Sequence, residues 1–349
     1  MAKKKVNLAL QGGGSHGAFT WGVLDRLLDE PDLEITGISG TSAGALNGAA
    51  LKAGLSSASG EAGRHAAREN LAYIWDQVGQ VSDSPIVRWL HSVIPGPRSL
   101  QRWTEALSPM AWYEGVNRLI SPYDFGPFYT NPLAAIIREM PHPVLTSPKG
   151  PELFISATNV QTGKIRIFEN GEISAEAIMA SACLPTVFKA VKIMDPKTRK
   201  YEIFWDGGYS GNPALFPLYK PSLPRDIVIV NINPMFKRSV PRTPVGIQDR
   251  INEISFNSAL LGEIRAISFV KRLYAENRLE GRPMKNVLLH MIGDDDLMST
   301  LGASTKILPS PGLVKKLFEA GREAGSRFMA DDFEHVGLRD SCSAAALLG

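Results

Sequence analysis

Cysteine is nearly absent: Cys183 and Cys342 are the only two in 349 residues. Two isolated thiols make no disulfide framework and suit a reducing compartment. Long apolar runs are missing too. Val6–Leu10 stops at Gln11 and the glycines beyond it, too short for the core of a secretory signal. No uninterrupted apolar run approaches the roughly 18 residues of a membrane span. Net charge is only +3, which argues against nucleic acid as a partner. The run Lys3-Lys4-Lys5 reads as a solvated terminus that adds slight attraction to anionic lipid. There is no internal repeat and no low-complexity segment. These absences set the expectation of a cytoplasmic protein with at most peripheral membrane contact. With 44% hydrophobic and 21% charged residues the composition is that of an ordinary globular chain.

Two glycine-rich turns stand out in the first fifty residues. Gly12-Gly13-Gly14-Ser15-His16-Gly17 follows the strand-like run Val6–Leu10, and Gly40-Thr41-Ser42-Ala43-Gly44 follows Ile35–Ser39. Each leads from a predicted strand into a predicted helix. G-x-S-x-G is the spacing of a nucleophile elbow, a strained turn that holds a serine hydroxyl clear of the backbone. The triple glycine offers consecutive N–H groups at a helix start, where negative charge is favoured.

The alternation continues along the chain. Helices are expected over Ala18–Glu30, Ala43–Ala53 and Arg64–Gln80, with Ser56–Gly63 as a polar loop. Strands are expected at Glu152–Thr158, Lys164–Glu169, Tyr201–Trp205, Asp226–Ile232 and Val287–Ile292, and helices at Ala175–Ala182, Asp249–Asn277 and Leu313–Phe333. Strand–helix alternation predicts a mostly parallel sheet with helices on its faces. Residues 82–150 break the pattern: ten prolines are interleaved with aromatics such as Trp89, Trp103, Trp112, Tyr123 and Tyr129. They read as an inserted cap, either a structural cover or a lid facing lipid. One domain is expected over residues 1–337, with 338–349 as a loose tail.

Three other readings compete. Gly12, Gly14 and Gly17 also fit the G-x-G-x-x-G dinucleotide fingerprint. That motif wants an acidic residue at the end of the second strand, where this chain has Ile38-Ser39-Gly40. Ser42 could be a plain helix cap. A Ser-His-Asp triad would need His290 or His335, and neither has a motif around it. The acidic run Asp294-Asp295-Asp296 lacks the spacing of a calcium loop and reads as solvated.

Four stretches taken together resemble the patatin-like phospholipase family, serine acyl hydrolases with a Ser-Asp dyad. They are Gly12-Gly13-Gly14 with Gly17, Gly40-Thr41-Ser42-Ala43-Gly44, Ala180-Ser181-Ala182-Cys183-Leu184-Pro185, and Asp206-Gly207-Gly208 with Asn212 beyond it. The resemblance implies a three-layer α/β/α patatin-like fold with a mostly parallel central sheet and the aromatic-rich insertion as its cap. It implies Ser42 as nucleophile and Asp206 as general base. Backbone N–H groups of the Gly12–Gly14 loop and of Ala43 would form the oxyanion hole, and Gly17, Gly40, Gly44, Gly207 and Gly208 would shape the turns. No metal or other cofactor is implied. The substrate would be a lipid ester, cleaved in the manner of a phospholipase A or lysophospholipase. Another carboxylesterase or polyester depolymerase with the same dyad, or a non-catalytic lipid- or dinucleotide-binding protein, are the alternatives. One departure is plain: the family usually carries Lys or Arg two residues after the triple glycine, and here His16 stands there.

Overall fold

A computed structural model describes residues 3–80, 121–124, 129, 131–237, 240–279, 284–302, 305–306 and 309–349. Most of the aromatic insertion, including Trp89, Trp103 and Trp112, lies outside the described residues.

The described chain runs β1 (Lys4–Leu10), α1 (Gly17–Leu27), β2 (Leu33–Gly40), α2 (Ala43–Ser57), α3 (Gly60–Gln80), α4 (Leu133–Arg138), α5 (His142–Leu145), β3 (Glu152–Asn159), β4 (Ile165–Glu169) and α6 (Ala175–Ser181). It continues with β5 (Val191–Asp195), β6 (Lys200–Asp206), β7 (Asp226–Asn231), α7 (Pro244–Ala275), β8 (Leu288–Gly293), α8 (Asp295–Ser299), α9 (Pro311–Asp331) and α10 (Ala344–Leu348). The eight strands form one sheet in the order β5-β6-β3-β2-β1-β7-β8, with β4 on the other edge of β3. β3, β2, β1, β7 and β8 are parallel, and β4, β5 and β6 add antiparallel pairings.

The strand period of two sorts the core into two layers. Val6, Leu8 and Leu10 of β1 and Val228 and Val230 of β7 face one cluster, which α1, α2, α3 and α9 cover. Ala9, Ile227 and Ile229 face the other, which Leu260, Ile264 and Ile267 of α7 cover. The result is the expected three-layer α/β/α arrangement with a mostly parallel sheet.

Several boundaries differ from expectation. The polar stretch 56–63 is mostly helical: α2 runs to Ser57 and α3 begins at Gly60, whose φ of 64° makes the corner. Strand β5 had no clear sequence signal; it is a short edge strand whose pattern is blurred by an exposed Met194 and a buried Asp195. The C-terminal tail is packed, with Cys342, Ala344, Leu347 and Leu348 against the second core cluster. The acidic run is structural, since Asp294 caps α8 and Asp295 Oδ2 accepts the Met235 and Phe236 N–H groups at 3.2 and 3.3 Å.

The register of β3 sets up the site. Residues 154–155 pair with both β2 and β4, and residues 157–158 pair with both β4 and β6. β2 and β6 therefore share one edge of β3, arriving from opposite directions. Gly40, the end of β2, pairs with Ile155, and Asp206, the end of β6, pairs with Ala157. The two predicted catalytic turns meet end to end at Ser156.

Candidate active site

Ser42 sits between β2 and α2 at φ 54°, ψ −121°. A non-glycine residue holds such a conformation only where its surroundings over-determine it. Five contacts do so. Thr41 Oγ1 lies 2.5 Å from Ser156 Oγ and donates to the Gly211 carbonyl at 2.8 Å. The Ser42 N–H donates to Ser181 Oγ at 2.9 Å, and the Ser42 carbonyl accepts the first helical N–H groups, Ala45 at 2.9 Å and Leu46 at 3.1 Å. Gly44 is required because a side chain there would strike the Leu10 carbonyl.

Asp206 is 1% exposed. Its N–H donates to the Cys183 carbonyl at 2.8 Å, and Thr158 Oγ1 donates to its carbonyl at 2.8 Å. Oδ1 accepts the Gly208 N–H at 2.7 Å. Oδ2 is buried and has no hydrogen-bond partner among the described residues. Burial pushes the carboxyl up to about 7, against the partial pull of the Gly208 N–H and the Ser42 hydroxyl. Ser42 thus lies near enough to favour the charged form without making an aligned hydrogen bond.

The short Ala180–Pro185 block, whose role was not legible in the sequence, braces both turns. Ser181 takes the Ser42 N–H and Cys183 takes the Asp206 N–H. Replacing Ser181 with alanine leaves a buried N–H without its acceptor. The expected cost is about 1–3 kcal/mol in a urea unfolding experiment, and an unchanged midpoint would show that the turn does not depend on Ser181.

The glycine loop lies directly against this serine. A methyl group on Gly12 would come within 2.6 Å of Ser42 Cβ, and one on Gly17 within 2.6 Å of Ala43 Cβ. The Gly12 N–H is not open: it donates to Asn212 Oδ1 at 2.6 Å. The Gly13, Gly14 and Ala43 N–H groups have no partner among the described residues. Of the four residues expected to supply oxyanion donors, Gly12 is therefore already committed and three remain open. Gly40, Gly207 and Gly208 lie at the two turns, where a side chain on Gly207 would strike the Ser156 carbonyl.

Behind the loop is a buried amide network that sequence reasoning missed. Gln11 Oε1 accepts N–H groups from Ile232 at 2.9 Å and Asn233 at 3.0 Å, while its Nε2 donates to the Asn212 carbonyl and to Asn257 Oδ1, both at 3.2 Å. Asn233 Nδ2 donates to the Gly12 carbonyl at 2.8 Å. A serine hydroxyl, an adjacent buried carboxylate and unpaired amides on a braced loop are the parts that acyl transfer uses.

The patatin-like phospholipase family matches this chain over residues 8–219, more than half its length and spanning all four motifs. The chain belongs to the patatin-like phospholipase family. It is accordingly a lipid acyl hydrolase acting on ester bonds. No curated protein matches it. Among solved structures, VipD from Legionella pneumophila is similar at 14% identity and TM-score 0.38, over 94% of this chain and 67% of that one.

This patatin-like chain handles position 16 in its own way. His16 is buried, and burial together with the charge of Lys306 lowers its pKa to about 3, so the ring is neutral. Its Nε2 lies 2.8 Å from Thr305 Oγ1. Lys306 Nζ donates to Asn233 Oδ1 at 3.0 Å, bringing a positive charge to the loop from far along the chain. The same segment stands against the loop: a side chain on Gly14 would strike the Lys306 carbonyl, and Ser15 Oγ donates to the Thr305 carbonyl. The triad reading loses its histidines. His290 Nε2 pairs with Asp226 Oδ1 at 3.1 Å, at the far end of β7, and His335 contacts Asp332, Glu334 and Arg339. Cys183, with its thiol pushed up to about 12 by burial, is no competing nucleophile. No helix among the described residues is long and apolar enough to cross a membrane.

Proposed function

We propose that this patatin-like protein hydrolyses carboxylic esters of phospholipids or lysophospholipids through a Ser42–Asp206 dyad. The observation that carries the reading is a buried Asp206 carboxyl that the Ser42 hydroxyl is near enough to act on, with its Oδ2 unpartnered among the described residues. Ser42 Oγ attacks the ester carbonyl carbon as its proton passes to Asp206. The Gly13, Gly14 and Ala43 N–H groups receive the charge that develops on the carbonyl oxygen. The proton then goes to the departing alcohol oxygen, leaving an acyl group on Ser42. Water, deprotonated by Asp206, releases the fatty acid. A carboxyl near 7 suits this work better than an ordinary one, because a base is most useful when its pKa approaches the working pH.

The test is a fluorophosphonate probe, which reacts with an activated serine. The adduct is expected on the peptide carrying Ser42, and Ser42→Ala is expected to abolish it. An adduct elsewhere, or none in a folded protein, would overturn the assignment. Labelling also follows pH. Asp206 must be unprotonated to accept a proton, so the rate should be flat above about 7 and fall about tenfold per unit below it. A profile flat down to pH 5 would remove Asp206 from the role. Hydrolysis of diacyl and monoacyl phospholipids, compared with a short soluble ester, then separates phospholipase from general esterase activity.

A further inference from the structure

Helix α7 has an outer side that the fold leaves uncovered. Its inner side buries Leu260, Ile264 and Ile267. Turned away from these, Ile247, Ile251, Ile254 and Phe269 are 45%, 51%, 54% and 52% exposed. Successive isoleucines one turn apart form a stripe, and Phe269 continues it farther along. Soluble helices normally show polar residues on this side. The loop before the helix also exposes Phe236 and Val240, and Arg250 and Lys237 tie it to the helix through the Pro234 and Met235 carbonyls and Glu253.

Among the described residues the charges on this outer side are mostly positive, and Glu276, just past the helix end, is paired with Arg278 at 3.3 Å. Arg265 falls on the same side as Ile247, and Arg272 beside Phe269, where its guanidinium lies 5.3 Å from the ring centroid. Neither arginine has an ion-pair partner among the described residues. The carboxylates of the helix point elsewhere. Glu253 pairs with Lys237 and Arg250, Glu263 accepts from the Leu215 N–H and Tyr219, and Asp249 lies across the helix from the stripe.

We propose that this outer side of α7 docks the protein on an anionic phospholipid surface. The choice of occupant rests on the lipid-ester reading above and on charge. Isoleucine and phenylalanine enter the headgroup–acyl boundary, and unpaired arginines meet lipid phosphates. A second copy of the chain fits poorly, because Glu276, the carboxylate on this side among the described residues, is already paired with Arg278 at 3.3 Å. The docking helix also reaches the site. Its inner residue Asn257 accepts from Gln11 behind the glycine loop, and Phe256 packs on Gly208 next to Asp206.

The experiment uses the full chain with sedimented vesicles of phosphatidylcholine alone or mixed with phosphatidylglycerol. Wild type should bind the mixed vesicles and release at high salt. Ile251→Asp with Ile254→Asp, and separately Arg265→Glu with Arg272→Glu, should each weaken binding at least about tenfold. Both double variants should slow hydrolysis of vesicle phospholipid and leave that of a soluble short-chain ester unchanged. Failure of wild type to bind the mixed vesicles, or wild-type binding by both variants, would overturn the proposal. A dimer in solution that the isoleucine variant dissolves, without vesicle binding, would replace it with self-association. Vesicle binding with the expected losses but no ester hydrolysis would sustain this surface and sink the catalytic reading instead.

Discussion

Asp206→Asn is expected to lower kcat/KM for any ester substrate by about 10³–10⁴ and, at pH 8, to make the protein harder to unfold. The first effect follows from removing the base while keeping its shape, since asparagine cannot take the Ser42 proton. The second follows from the cost of the native carboxylate. Burial raises the pKa of Asp206 from an ordinary 3.8 to about 7. Below the ordinary value the carboxyl is protonated in both folded and unfolded chains, and it contributes no pH dependence. Between the two values the unfolded chain ionises while the native one does not, so stability falls as pH rises. Above about 7 both are ionised and the full penalty stands. A shift of about three units corresponds to roughly 4 kcal/mol at most. Asparagine escapes the penalty and can still accept the Gly208 N–H. Urea unfolding should therefore show the variant ahead by about 2–4 kcal/mol at pH 8, with the gap closing toward pH 4. A variant that is less stable at pH 8, or a gap independent of pH, would show that Asp206 is not a buried, strained carboxylate. Retained activity would remove it from the reaction.

This coupling of instability to function explains which parts of the site were legible in the sequence. A sharp turn advertises itself locally, because only glycine tolerates the contacts on either side of Ser42 and directly after Asp206. The turns at Gly40–Gly44 and Asp206–Gly208 could be read for that reason, as could the strands that feed them. The supports of those turns could not. Gln11, Asn233 and Asn257 are buried amides, and the partners of Gln11 among them lie more than two hundred residues along the chain. Nothing in a local window separates them from ordinary polar residues. A hint existed: Gln11 ends an apolar strand just before the glycines, and Asn231-Ile232-Asn233 ends a strand buried along its whole length, where solvated side chains are rare. Lys306 carries no such hint. Its link to the loop through Asn233 is a product of tertiary structure alone. The fold followed the same rule. The two layers follow from strand periodicity, whereas the edge strand β5 and the corner at Gly60 depend on their neighbours for definition.

Gly12→Ala is expected to cost about 10²–10³ in kcat with little change in KM. The added methyl would sit 2.6 Å from Ser42 Cβ, 2.8 Å from the Thr41 carbonyl oxygen and 3.3 Å from Asn212 Oδ1. None of these can yield by rotating a flexible end. Ser42 is fixed by its strained turn, Thr41 by Ser156 and Gly211, and Asn212 by its bonds to Gly12 itself. The loop must move away as a unit, carrying the Gly13 and Gly14 N–H groups with it. A displacement of a few tenths of an ångström in oxyanion donors is felt in the transition state, where charge is greatest, more than in substrate binding. The stability cost should stay near 1–3 kcal/mol, because the core beneath is untouched. Gly262→Ala provides the contrast. A methyl group added there, on the outer part of α7, meets no atom within 4 Å, so alanine should leave kcat alone and raise stability by about 0.5–1 kcal/mol. A Gly12→Ala protein with wild-type kcat would mean that the loop does not hold the oxyanion, and the charge would have to be met by Ala43 with donors from elsewhere.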